Sequence, residues 1–185
     1  MTRKSISPLA ILTPGLLLFA VWLLSPGAWA ADQGDAVATI TKLGGKVEVD
    51  ESSPGKPVVK VNLRNKPIKD ADLEQLKGLT KLQELRLGGT KITNRGLEHL
   101  KELTELRTLI LDRTEVSDDG LKHLQGLTNL RWLNVCETPV TDAGVKHLKP
   151  LTKLEYVDLA VRGDRISDAA IEDLRSALPK VKVDR

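Results

Sequence analysis

The chain returns to the same pattern every 24 residues, and that period constrains its fold more than any other feature. Seven apolar columns recur in step. They begin at Leu79, Leu82, Leu85, Leu87, Ile92, Leu97 and Leu100, and each is refilled 24 positions on by Leu103, Leu106, Leu109, Leu111, Val116, Leu121 and Leu124. A third unit runs from Leu127 to Leu148. A fourth runs from Leu151 to Leu174, with two extra residues between Leu159 and Ile166. Val58, Val61, Leu63, Ile68, Leu73 and Leu76 outline a degenerate first unit, which makes about five.

Each column implies a local structure. Leu85-x-Leu87 alternates with period two, as in a short strand buried on one face. Leu97-x-x-Leu100-x-x-Leu103 has a spacing of three, as in a helical segment with one buried stripe. Thr93, Ser117, Thr141 and Ser167 stand where N-caps belong, and Asp118, Asp142 and Asp168 fall in the first turn, where the helix dipole favours acids. Gly96, Gly120 and Gly144 read as points of close packing, and Thr90, Thr114 and Thr138 as hydroxyls that satisfy the turn after each strand. One unit cannot bury its own apolar face, so the units must stack. Asp35 to Leu43, stopped by Gly44-Gly45, reads as an N-terminal capping helix, and Ser52-Ser53-Pro54-Gly55 as a turn into the first strand. Ile171 to Leu178 reads as the last helix, stopped by Pro179, with Val181-Lys182-Val183 as a final edge strand.

These residues resemble the leucine-rich-repeat superfamily from about Val58 to Val183. The Leu-x-x-Thr-x-(Ile/Val)-(Thr/Ser)-Asp-x-Gly-Leu form is similar to the cysteine-containing repeats of F-box-type proteins and their secreted bacterial relatives. The resemblance implies an α/β solenoid of about five 24-residue units, with parallel strands on the concave face and helices on the convex face. It also implies a protein-interaction scaffold that uses the strand face.

Met1 to Ala30 reads as a secretory signal peptide. Arg3 and Lys4 are its positive start, Leu9 to Leu24 its apolar run, Pro26 and Gly27 a helix break, and Ala28-Trp29-Ala30 the small-x-small cleavage pattern. The apolar run is almost long enough to span a bilayer, so retention as an anchor is the alternative. Residues 31–55 would then be a capping helix and turn, and 56–185 the repeat domain with its C-terminal cap. Export places the chain in the periplasm or outside the cell. Cys136 is the sole cysteine, so no disulfide within the chain can form there, and a free thiol or an intermolecular bridge is what it offers.

Removing Arg3 and Lys4 from the 28 basic residues leaves 26 against 25 acidic ones, a balance with no overall footprint for nucleic acid or for an anionic membrane. No catalytic constellation, metal site or cofactor motif is legible. His99, His123 and His147 recur at the repeat period on the helical side. Helices pack about 8–10 Å apart, whereas zinc needs each ring nitrogen within about 2.1 Å, so the row reads as one repeated surface position. Glu84, Asp112 and Asp158 read as solvated carboxylates on the strand side, in different columns and repeats, with no second catalytic group tied to them. Arg162-Gly163-Asp164 falls in the two-residue insertion and reads as an exposed loop.

Outward strand positions give the candidate binding face. One column is Lys60, Glu84, Thr108, Trp132 and Tyr156; the next is Asn62, Arg86, Ile110, Asn134 and Asp158; the third is Arg64, Gly88, Asp112, Cys136 and Ala160. Trp132 and Tyr156 are the only aromatics after residue 30, and parallel strands about 4.8 Å apart set them side by side. Such rings dominate interface hot spots. Ile110 extends the apolar patch, and Arg86, Asp112, Asn134 and Asp158 form its polar rim. The reading is a non-catalytic scaffold for an unknown protein partner, with a cell-wall or other polysaccharide as the alternative, since rings on a rigid face also stack on sugars.

Overall fold

A computed structural model describes residues 26–161, 163 and 165–185, with side chains from Gln33 onward. The apolar run and basic start assigned to the signal peptide lie outside the described residues. Pro26 and Gly27 open a helix among the described residues. They are the first residues of α1 (Pro26–Lys42), which proline suits because its missing N–H has no partner in a first turn. The proposed cleavage position, Ala30, falls within this helix. Gly44, at φ 75°, ends it, and the N–H groups of Gly44 and Gly45 return to the carbonyls of Thr41 and Ile40.

The chain then lays down seven strands in one sheet, in sequence order. β1 (Lys46–Val49) pairs antiparallel with β2 (Val58–Asn62), and every later pair is parallel. The strands β3 (Glu84–Arg86), β4 (Thr108–Ile110), β5 (Trp132–Asn134), β6 (Tyr156–Asp158) and β7 (Lys182–Asp184) have three residues each. From β2 to β6 the register is one repeat per strand, as in Leu85 with Leu109 and Leu109 with Leu133. This is a leucine-rich-repeat solenoid. β1 was not legible in the sequence as a strand: its alternation is short, and the segment to Pro54 reads as turn.

The other side of each turn is helical and brief. A 3-10 helix spans Asp70–Leu76, followed by α2 (Asn94–Glu98), α3 (Asp118–Leu121), α4 (Asp142–Val145) and α5 (Asp168–Ala177). The apolar spacing of three fits this side, because α3 and α4 pass directly into 3-10 turns at Lys122–Leu124 and Lys146–Leu148, with three residues per turn. Between the layers the columns close into a single core in which Leu85, Leu109, Leu133 and Val157 are fully buried.

Two polar devices hold successive turns in step. Thr90, Thr114 and Thr138 are buried, and their hydroxyls donate to the carbonyls of Leu87, Leu111 and Val135 at 2.6, 2.7 and 2.6 Å. The second device runs between repeats. Asp70 accepts from the backbone N–H and hydroxyl of Thr93 (2.8 and 2.6 Å), Asp118 from those of Thr141 (both 2.7 Å), and Asp142 from those of Ser167 (2.7 and 2.8 Å). Asn94 takes the same place for Ser117, its Oδ1 accepting from the backbone N–H and its Nδ2 donating to the hydroxyl, each at 2.8 Å. The first-turn acids therefore serve the next repeat as well as the dipole of their own helix. The glycines make room for them. A Cβ at Gly96, Gly120 or Gly144 would stand 2.5, 2.6 or 2.4 Å from the oxygen of Asp70, Asn94 or Asp118.

Stacking also holds strained backbone. Asn65, Gly89, Arg113 and Glu137 leave their strands at φ between 55° and 68°, although only one of them is glycine. Leu109→Ala, in the centre of the core, is expected to cost about 2–5 kcal/mol in denaturant melts. Thr108→Ala, on the outward face of the same strand, is expected to cost under about 0.5 kcal/mol. Equal losses would show that the strand phase is wrong.

Candidate binding face

The period-two alternation that buries Leu109, Leu133 and Val157 turns their neighbours outward. Trp132 and Tyr156 are register partners on β5 and β6, with ring centroids 4.3 Å apart and planes tilted by 36°. Trp132 is 47% exposed, the one large hydrophobic side chain in that state among the described residues. Tyr156 is half-buried beneath this contact, and its hydroxyl donates to Asp184 Oδ2 at 2.5 Å. That bond, to a strand the outward columns did not include, fixes the ring and pushes its phenol up from 10.0 to about 12.

The polar residues around the rings have separate partners. Arg86 is exposed and donates from Nε to Glu84 at 2.5 Å. Ile110 is half-buried on β4, in register with Arg86 and Asn134. Asn134 Nδ2 donates to Asp158 Oδ2 at 3.0 Å. Asn134 Oδ1 and Asp158 Oδ1 each close a local turn, accepting from the N–H of Cys136 at 2.9 Å and of Ala160 at 3.1 Å. Asn134 and Asp158 thus end their strands as well as edging the patch.

Asp112 is not a solvated rim carboxylate. It is 6% exposed and is held by Arg64 Nη2 at 2.8 Å and by Arg113 Nε at 3.2 Å. The reason is Gly88: Arg64 reaches Asp112 two repeats away, and a Cβ on the intervening Gly88 would sit 2.1 Å from Asp112 Oδ1. Seen in one dimension, the column of Arg64, Gly88 and Asp112 is three unrelated letters; stacked, the missing side chain opens a slot for the ion pair. Asp112 therefore belongs to the scaffold and leaves the candidate set.

The histidines lie on the helical side, each half-buried, with His147 Nδ1 3.2 Å from Gln125 Nε2. No group of three or more histidines, cysteines or acids is arranged to hold a metal among the described residues. Cys136 is half-buried at the strand end, and burial pushes its thiol up, away from the reactive thiolate. Arg162 and Asp164 lie outside the described residues, and Gly163 between them is exposed. Among the described residues no helix is long and apolar enough to cross a membrane.

Beside the rings the surface opens into a groove of about 780 Å³, lined by Arg107, Thr108, Arg131, Trp132, Glu155, Tyr156, Lys180 and Lys182. Sequence reading missed its basic members. Arg107, Arg131 and Glu155 precede their strands by one residue and so fall outside the alternating columns. Lys182 continues the ring column, in register with Tyr156, but only once β7 is known to pair with β6.

No protein-family model and no curated protein matches the sequence. Solved structures do share the fold. An internalin from Listeria monocytogenes aligns over 83% of this chain at 22% identity and a TM-score of 0.56, and the chain spans 41% of that protein's length. TLR13, solved as a complex with ssRNA13, aligns over 72% of this chain and 18% of its own length at 22% identity and a TM-score of 0.52. The tropomodulin C-terminal domain of Caenorhabditis elegans aligns over 79% of this chain and 92% of its own at 16% identity and a TM-score of 0.55. These likenesses concern the fold.

With Tyr156 the only tyrosine, its ionisation can be followed alone by tyrosinate absorbance. The Asp184 carboxylate accepts the phenolic proton and disfavours its loss, so the midpoint is expected near 12, above the ordinary 10.0. Asp184→Ala is expected to lower it towards the ordinary value. An unchanged midpoint would contradict the Tyr156–Asp184 bond.

Proposed function

We propose that this chain is an exported, non-catalytic binding scaffold that takes a protein partner on the open face of its sheet. The observation that carries the reading is the exposed Trp132 held against Tyr156 on adjacent strands of a stacked sheet, because a rigid aromatic pair loses little entropy on binding. Arg86, Ile110, Asn134 and Asp158 surround the pair. Glu84, Asp112 and Asp158 have local structural partners and do not converge with a nucleophile or base, which supports a scaffold over an enzyme.

The internalin and TLR13 likenesses support a binding role at the level of fold. The repeat form continues to suggest the F-box-like, secreted bacterial subclass. Export rests on the pattern of residues 1–30, and the repeats then meet their partner in the periplasm or outside the cell. The tilt of 36° between the rings disfavours stacking along a flat, ribbon-like sugar chain.

The experiment is capture from an envelope extract, beside a glycan array, by the parent and by the double variant Trp132→Ala, Tyr156→Ala. The parent should retain a protein partner that the variant loses, while circular dichroism of the two stays alike. Intact mass of the exported parent should place its N-terminus at or near Ala31. Undiminished capture by the folded variant would remove the aromatic face from consideration, and binding to glycans alone would replace the partner class.

A further inference from the structure

We infer that the groove beside Trp132 and Tyr156 is an anchor site for an acidic peptide segment of the partner, one that sets an apolar side chain against the rings and its carboxylates against the flanking cations. This rests on the scaffold reading and adds the chemistry of the partner to it.

Beyond residue 30 the chain is nearly balanced in charge, yet its cations gather locally. Arg107, Arg131, Lys180 and Lys182 all line the groove, and each is exposed. Only Arg131 has a carboxylate partner among the described residues, Glu155 at 2.8 Å. Four cations less that one acid leave a local charge of +3. Elsewhere on the open face most cations are matched: Lys60 pairs with Glu48 at 2.7 Å and Arg86 with Glu84 at 2.5 Å, while Lys46 beside them is exposed without an ion pair among the described residues. The unmatched charge is therefore greatest at the end of the sheet that holds the rings, +3 there against +1 for Lys46, Lys60 and Arg86 with Glu48 and Glu84. Arg107 and Arg131 are planar forks that suit carboxylates, and the exposed Trp132 offers the apolar contact between them.

A peptide fits this layout better than a nucleic acid strand. The other end of the same strands is acidic, with Asp158 on β6 and Asp184 on β7. A base stacked on Trp132 would carry its phosphates past these carboxylates, whereas a short peptide can keep its acids on the basic side and only its apolar residue on the rings. The groove's volume of about 780 Å³ accommodates a few side chains.

The test is fluorescence anisotropy of three labelled probes with the full chain: a synthetic peptide of alternating glutamates and leucines, its lysine counterpart, and an oligothymidylate. Polygalacturonate serves as an unlabelled competitor. The acidic peptide should bind in preference to the others and weaken about tenfold or more as salt rises past the range where exposed charges are screened. Trp132→Ala should abolish its binding. Arg107→Glu with Lys182→Glu should weaken it to the level of the lysine peptide, with circular dichroism unchanged. Equal binding of the acidic and basic peptides overturns the inference, as does tighter binding of the oligothymidylate or displacement by polygalacturonate at equal charge. If the charge-reversed variant still captures the envelope partner and the ring variant does not, the acidic anchor fails while the scaffold reading stands. If neither variant loses the partner, both fail.

Discussion

A single 24-residue turn of this chain cannot bury its own leucines, and everything else in the structure follows from how one turn is fastened to the next. Apolar stacking supplies the drive and fixes which strand residues face inward, but aliphatic side chains of similar size would tolerate sliding by a whole repeat. The directional part is polar. Asp70, Asn94, Asp118 and Asp142 each hold the backbone N–H and hydroxyl of the residue that opens the next repeat's helix. Asp168 continues the series by pairing with Arg185. Each bond is ordinary, and its weight lies in repetition along a stack where every unit depends on its neighbours. The bond from the Ser167 N–H draws the Asp142 carboxyl below the usual carboxylate range. Stability linked to it is present above that ordinary range and lost as the pH falls through the lowered value.

That fastening was partly legible. The apolar columns, the strand phase, the capping hydroxyls of Thr93, Thr141 and Ser167 and the turn threonines are local or strictly periodic, and periodicity survives projection onto a line; Ser117 holds the same position without a side-chain cap bond. Contacts across 23 or 24 residues between unlike letters do not. Asp118 looks complete as a first-turn acid until Thr141 is placed beside it, and Gly120 looks like a concession until the oxygen of Asn94 is found in its missing Cβ. Asp112 is the sharpest case, because its burial is created by the absence of a side chain at Gly88 and by an arginine 48 positions away.

The candidate face shows the same division. The pairing of Trp132 with Tyr156 follows from the strand phase and the repeat, and its geometry is as expected of neighbouring parallel strands. The groove is a different matter. It draws on residues just ahead of the strands, on the turn after α5, and on β7, whose place in the sheet rests on a short edge pairing. A column that is read only as far as Tyr156 ends at the rings and misses the cations that give them a chemical preference.

The functional claim is that this stacked sheet exists to hold one face still. Its most direct measurement is photo-crosslinking from a reactive residue installed at position 108, beside Trp132 on the open face, compared with one at position 123 on the helical side. A partner joined from position 108 and not from 123 is the expected result. Crosslinking from position 123 alone would place the partner on the opposite surface and contradict the claim.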